Sequence, residues 1–167
     1  MKKKTKKRLW LIVVVAAVVI AAAYFLIPRG KAAGVKVYFF KGDKLFAVER
    51  PLKADETPLN TAFRELVAGP SAEELGQGVA SRLPADVKIF SLRVQGKTAI
   101  INFNRQLGSH PGGAAQLQGM LKQIVYTATE IPGIEKAWVW LEGKTQIVLG
   151  GEGLVLDRPL SRRDLSD

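Results

Sequence analysis

A chain of 167 residues, 47% hydrophobic and 24% charged, has room for one domain with appendages and the composition of a folded protein. Its formal net charge of +10 does not describe a nucleic-acid-binding domain. Six cations precede residue 9 and two more stand at Arg29 and Lys31, which leaves 17 Lys and Arg against 15 Asp and Glu from Gly34 onward, a net of +2. The sequence holds no cysteine and one histidine, which excludes disulfides, thiolate sites, cysteine nucleophiles, a lipidated cysteine and the usual structural zinc sets.

In chain order, residues 1–8 are a basic tail and Leu9 to Ile27 read LWLIVVVAAVVIAAAYFLI, nineteen residues without a charge. As a helix this segment is about 28 Å long, close to the hydrocarbon thickness of a bilayer. Trp10 and Tyr24 stand near its two ends, where amphipathic rings favour the interface. A cleaved signal peptide would carry an apolar region of about 7–15 residues ending in a small-residue site. Ala21-Ala22-Ala23 offers such a site, but Tyr24-Phe25-Leu26-Ile27 carry the apolar run past it, so a retained anchor is the expectation. The excess of cations before the helix puts the N-terminus in the cytoplasm and the rest of the chain outside. The expected location is thus the cytoplasmic membrane, in a single pass. Residues 28–34 form a linker that begins at Pro28, and they keep the domain close to the membrane surface.

The folded part is expected over 35–160. Val35–Phe40 is rich in β-formers, and Lys41-Gly42-Asp43 turns it into a second strand, Leu45–Pro51. Thr57-Pro58 reads as an N-cap followed by proline at the first helical position. Leu59, Ala62, Phe63, Leu66 and Val67 then mark one helical stripe that Gly69-Pro70 ends. Ser71-Ala72-Glu73-Glu74 has the capping-box spacing for a short helix, closed by Leu83-Pro84. Strands follow at Val87–Val94 and Thr98–Phe103, joined at Gln95-Gly96-Lys97. In the first of these the apolar parity shifts from Val87 and Ile89 to Phe90, Leu92 and Val94, which implies a bulge or burial on both faces. A long helix over 114–129 carries the stripe Leu117, Met120, Leu121, Ile124, Val125 and Ala128. Lys136–Leu141 and Lys144–Leu149 read as a hairpin across Glu142-Gly143, and 161–167 as a polar tail. No internal repeat is present. The fold class expected is α+β, a two-layer sandwich with a mostly antiparallel sheet and helices on one face, preceded by one transmembrane helix.

A search for chemistry finds little. His110 lies beside Ser109 in Ser109-His110-Pro111-Gly112-Gly113, but adjacent residues seldom set a nucleophile–base geometry and no nucleophile elbow frames them. Gly112-Gly113 precedes a helix without the Lys-Ser/Thr pair or glycine spacing of a phosphate loop. Glu73-Glu74 and Asp55-Glu56 are adjacent carboxylates whose side chains diverge on regular elements. No enzyme activity, cofactor or metal is expected. The feature with a binding character is Trp138 with Trp140, which share one face of a strand while Ala137, Val139 and Leu141 take the other. If helices cover the aliphatic face, the two indoles lie on the open face of the sheet, where aromatics serve protein partners. If the Trp face lies under the helices, the indoles are core.

Several of these stretches together resemble the GerMN domain family of sporulation and spore-germination proteins. They are Val35-Lys36-Val37-Tyr38-Phe39, Ala62-Phe63-Arg64-Glu65-Leu66-Val67-Ala68-Gly69-Pro70, Ser81-Arg82-Leu83-Pro84, Ala99-Ile100-Ile101-Asn102-Phe103 and Gln123-Ile124-Val125-Tyr126-Thr127-Ala128-Thr129. The resemblance covers Val35 to about Arg163. It implies a compact extracytoplasmic domain of helices and strands, similar to ring-building modules of secretion machines and used in envelope assemblies. It supplies no catalytic residues. Relatives in sporulation often carry two copies and a lipidated cysteine, where this chain has one copy and an apolar N-terminal segment. The function expected is a membrane-anchored, non-catalytic module that assembles with an envelope protein or with itself. The alternative is a module that binds peptidoglycan or another wall glycan, and neither a nucleic-acid partner nor a small-molecule ligand is expected.

Overall fold

A computed structural model describes residues 34–109, 113–149 and 153–166. β1 (Gly34–Lys41) and β2 (Lys44–Pro51) form a hairpin whose two-residue loop opens on Gly42 at φ 61°, a left-handed conformation that glycine adopts without a Cβ clash. Val37 and Phe39 of β1 are wholly buried. β3 (Val79–Ala80) joins β1 beside Phe40 and Lys41, giving the sheet order β2-β1-β3.

Between these strands run α1 (Pro58–Ala68) and α2 (Ala72–Gly76). Thr57 caps α1 by accepting from the Asn60 amide at 3.2 Å, and Gly69 ends it at φ 82°. Leu59, Ala62, Phe63 and Leu66 bury the expected stripe. The capping box of α2 is complete, with Ser71 and Glu74 each bonding the other's backbone amide. Glu74 also receives both arms of the Arg50 guanidinium at 2.7 and 2.6 Å, which holds its carboxyl down at about 2 and ties α2 to β2.

The second sheet has the order β4-β5-β6, from β4 (Ile89–Gln95), β5 (Thr98–Phe103) and β6 (Lys136–Leu141). Its register jumps from Ile89 opposite Phe103 to Ser91 opposite Asn102, which leaves Phe90 as an extra, exposed residue. Of the two readings of the parity shift, this is the bulge. α3 (Ala114–Thr129) buries all six residues of its stripe, and the Phe63 and Phe103 rings, 6.5 Å apart, join α1 to β5. Both sheets and both long helices share one apolar core.

Three expectations need correction. The strands do not make one sheet: β5 and β6 pair in parallel, because the connection from Asn104 to Glu135 contains α3 and returns the chain in the same direction. The hairpin across Glu142-Gly143 is also not a hairpin of strands. The turn is present, with φ 49° and 83°, but pairing stops at Leu141 and Lys144. β7 (Ile147–Leu149) pairs instead with β8 (Leu154–Leu156), and the edge of β6 is taken by Leu160, bonded both ways to Ala137 at 2.8 Å. Third, the segment 161–167 is not merely a polar tail, since Arg162–Leu165 form a 3-10 turn with Leu165 buried. The α+β class holds. Among the described residues no helix is long and apolar enough to cross a membrane, and the segment 9–27 lies outside them.

The open side of β1 determines how α3 docks. In an antiparallel ladder alternate residues bond across the pair, and the residues between them aim their backbone groups the other way. β3 is only two residues long and meets β1 at Phe40 and Lys41, so Tyr38 has no strand partner on that side. Two side chains of α3 replace it. The Tyr38 amide donates to Thr127 Oγ1 at 3.1 Å, and the Tyr38 carbonyl accepts from Gln123 Nε2 at 3.1 Å. The Gln123 carbonyl oxygen accepts in turn from the Arg82 amide. Both side chains are fully buried, so each is positioned by the helix and satisfied by the strand.

A second fastening joins β1 to the segment after β8. Glu130, just past α3, accepts from Lys36 Nζ at 3.0 Å, from the Tyr38 hydroxyl at 2.8 Å and from Arg162 at 2.8 Å. Burial works against the ionised carboxylate, but these three donors outweigh it and hold the Glu130 carboxyl at about 2. Arg162 also donates to Thr129 Oγ1 at 2.7 Å and to the Tyr126 carbonyl at 3.2 Å, and its guanidinium lies 4.7 Å from the Tyr126 ring centre. A cation on the last carbonyls of α3 complements the helix dipole.

Replacing Gln123 by Leu leaves the Tyr38 carbonyl and the Arg82 amide unpaired at constant volume. The expected loss is about 2–4 kcal/mol, read as a lower urea midpoint with an unchanged slope. The acid limb follows from Glu74 and Glu130. Their folded values lie below the ordinary 4.5, so the stability they add is complete above about pH 4.5 and is lost as pH falls through about 2. The thermal midpoint is expected to be level above about pH 5.5 and to fall steeply between pH 4.5 and 2. In Glu130→Gln it starts lower at pH 7, and its fall in acid is shallower.

Candidate functional site

The outward face of the second sheet follows from its register. Residues opposite one another in a ladder share a face, so Arg93, Ile100 and Trp138 form one row and Ser91, Asn102 and Trp140 the next. Ala99, Ile101, Phe103, Ala137 and Val139 point the other way, into the core. The helices therefore cover the aliphatic face, and Trp138 and Trp140 lie on the opposite face, each half-buried.

The indoles meet edge to face, with ring centres 5.4 Å apart and planes at 88°. The Arg93 guanidinium lies 4.3 Å from the Trp140 ring centre, a cation–π contact that shields part of the ring. Ile100 is buried between Arg93 and Trp138 in the same row, although it points away from the helices. Asn102 accepts from the Gly143 amide at 2.9 Å and so fixes the Glu142-Gly143 turn beside the rings. Both indole N–H groups are buried and have no acceptor among the described residues. An unpaired buried donor costs about 1–3 kcal/mol, which is uncommon at two neighbouring positions.

Nothing on this face performs acid–base chemistry. Its outward side chains are Ser91, Arg93, Gln95, Thr98, Ile100, Asn102, Lys136 and the two tryptophans, a set without carboxylate or imidazole. Neither Ser91 nor Thr98 has a base to activate it. The face offers the accessible parts of the two rings and the cations Arg93 and Lys136.

The other marked positions do not assemble among the described residues. His110 and Gly112 lie outside the described residues, as does Pro111. Ser109 is exposed and donates to the Arg105 carbonyl at 3.4 Å, and Gly113 is the N-cap of α3. Glu74 is committed to Arg50, while Glu73 is exposed and bonded to Gln77 at 3.4 Å. Glu56 is held by Arg64 at 3.1 Å and by the Thr61 hydroxyl at 2.8 Å, and these donors lower its carboxyl; Asp55 is exposed. Among the described residues no group of His, Asp and Glu could hold a metal ion.

Arg93 was not marked by the sequence as part of the Trp face. Its place opposite Ile100 is readable from the hairpin loop at Gly96-Lys97, but its neighbour Trp140 comes from the parallel pairing of β5 and β6.

Among solved structures, the first GerMN domain of the sporulation protein GerM from Bacillus subtilis superposes with a TM-score of 0.65 at 23% identity, covering 79% of this chain and 99% of that one. The tandem GerMN domains of the same protein give 0.58 at 24% identity; the match covers 77% of this chain but only 45% of the tandem. A putative lipoprotein from Clostridium perfringens gives 0.58 at 23% identity, covering 83% of this chain and 94% of that one. At these identities the likeness concerns the fold. No curated protein sequence matches the chain. Residues 36–147 match the Germane family, described as sporulation and spore germination, and since the match spans more than half of the sequence, the chain belongs to that family.

Proposed function

We propose that this protein is a membrane-anchored, non-catalytic module that stands outside the cytoplasmic membrane and joins a cell-envelope complex in sporulation or germination through protein–protein contact. Family membership over 36–147 supports the biological setting. The single observation that carries the binding role is the pair of half-buried indoles with unpaired N–H donors on the outward face of β6. A partner that packs on the accessible parts of the two rings buries them further. Arg93 and Lys136 favour a partner that is acidic at the rim of the contact. The anchor reading rests on the nineteen uncharged residues from Leu9 to Ile27 and on the cations before them.

Photocrosslinking in living cells tests this reading. A photoreactive residue at position 140 is expected to give one discrete protein adduct, while the same residue at exposed Glu73 gives none. Trp138→Ala with Trp140→Ala is expected to abolish recovery of the complex while the domain keeps its circular dichroism spectrum. Unchanged recovery from a folded double variant rejects the Trp face as the site. If position 140 gives no protein adduct and the double variant loses binding to isolated cell walls, the partner is a wall glycan instead.

A further inference from the structure

One end of the domain gathers features that the Trp face does not use. Gly34, where the chain enters β1, is opposite Pro51, where it leaves β2. Lys36, two residues on, bonds Glu130, and Glu130 opens the turn Ile131-Pro132-Gly133 that leads to β6. The loop between β4 and β5 reaches the same turn, since the Lys97 carbonyl accepts from the Glu135 amide at 2.8 Å and Lys97 Nζ bonds Glu135 at 2.6 Å. Four connections therefore meet at the entry end of β1. The β1–β2 loop with Asp43 is at the other end of the strand, about 23 Å away at 3.3 Å per residue.

Two adjoining clefts open at the entry end. One, of about 560 Å³, is lined by Leu59, Leu92, Val94, Ile131, Pro132 and Ile134, and Val94 is 52% exposed there. The other, of about 660 Å³, shares Ile134 and is lined by Lys136, Arg162 and Arg163. Arg93 borders the first cleft, so four cations meet one carboxylate, Glu135, which Lys97 already pairs. Glu130 is likewise taken by Lys36 and Arg162, Glu56 by Arg64 and Lys53, and Asp55 is exposed in the loop before α1. Lys136 and Arg163 are exposed and carry no ion pair among the described residues.

We infer that this end of the domain rests on an anionic phospholipid surface, with Val94, Ile131 and Pro132 at the level of the headgroups and Lys136 and Arg163 against their phosphates. The inference rests on the anchor reading above. If Leu9–Ile27 spans the bilayer, the six residues from Pro28 to Ala33 reach at most about 21 Å, so the entry end is held within about two Debye lengths of the membrane. An apolar area beside unpaired cations is the arrangement that interfacial binding uses. It also turns the chain's own tether into part of the contact, since a held surface meets lipid at high effective concentration.

The full chain in lipid nanodiscs tests this, and the lack of native cysteine lets one introduced thiol carry a fluorophore. In discs rich in phosphatidylglycerol, a probe on Val94→Cys is expected to be quenched several-fold more by doxyl-labelled lipid than the same probe on Asp43→Cys. Lys136→Gln and Arg163→Gln are each expected to lower the docked-to-free ratio about five-fold. Equal quenching at the two positions in a protein that co-purifies with the discs overturns the docking and leaves the anchor reading standing. Quenching as strong in phosphatidylcholine discs overturns recognition of the anionic headgroups. Failure to co-purify with discs overturns the anchor reading and the inference together.

Discussion

The fold depends on how the open side of β1 is completed. A three-stranded sheet whose third strand has two residues leaves the middle strand with a buried amide and carbonyl at Tyr38, and a sheet cannot tolerate that away from water. α3 supplies Thr127 for the amide and Gln123 for the carbonyl, and Gln123 passes the constraint on to the Arg82 backbone. These polar contacts fix where α3 lies along β1, which apolar packing alone specifies poorly because a stripe of Leu, Ile and Met slides at little cost. Once α3 is placed, the parallel pairing of β6 with β5 follows, because α3 delivers the chain to the start of that strand.

The same placement brings the ends of the domain together. Glu130 caps the path of α3 and gathers Lys36 from the first strand with Arg162 from the last turn. The carboxylate is partly buried, so three donors are needed to keep it ionised, and the ring faces of Tyr38 and Tyr126 complete the enclosure around Arg162. A late segment of polar composition thereby becomes structural. Leu160 and Leu165 are buried by the same closure, one on the edge of β6 and one in the final turn. The edge of β6 is covered and the chain has no long unpaired strand there.

Two surfaces of opposite character result. The outward face of the second sheet is aromatic and without carboxylates, with two buried indole donors that find no acceptor among the described residues. The entry end of β1 combines apolar side chains with Lys136 and Arg163, which carry no ion pair among the described residues. Lys136 belongs to both, since it begins the strand that carries the tryptophans and lines the cationic cleft. A module with these two surfaces is suited to being held in place on one side and presenting the other.

What the sequence determined by itself was local. Thr57-Pro58, Gly69, the Ser71–Glu74 box and the stripe from Leu117 to Ala128 each state a helix and its limits through groups within one or two turns, and each stands where periodicity put it. The parity shift at Phe90 recorded a bulge for the same reason, since side-chain alternation is a property of one strand. Pairing is different. Whether Lys136–Leu141 meets Lys144–Leu149 or Thr98–Phe103 depends on competition for hydrogen bonds between segments far apart in the chain. A turn at Glu142-Gly143 does not decide it when Leu160 and β5 take both edges of the strand. The polar composition after residue 160 gave no sign of the Glu130–Arg162 closure, because the partners are thirty-two residues apart and only the end of α3 brings them within 2.8 Å. The tryptophans could be named from the sequence, but their exposure could not, because a strand states that two residues share a face while only the packed helices decide which face is covered.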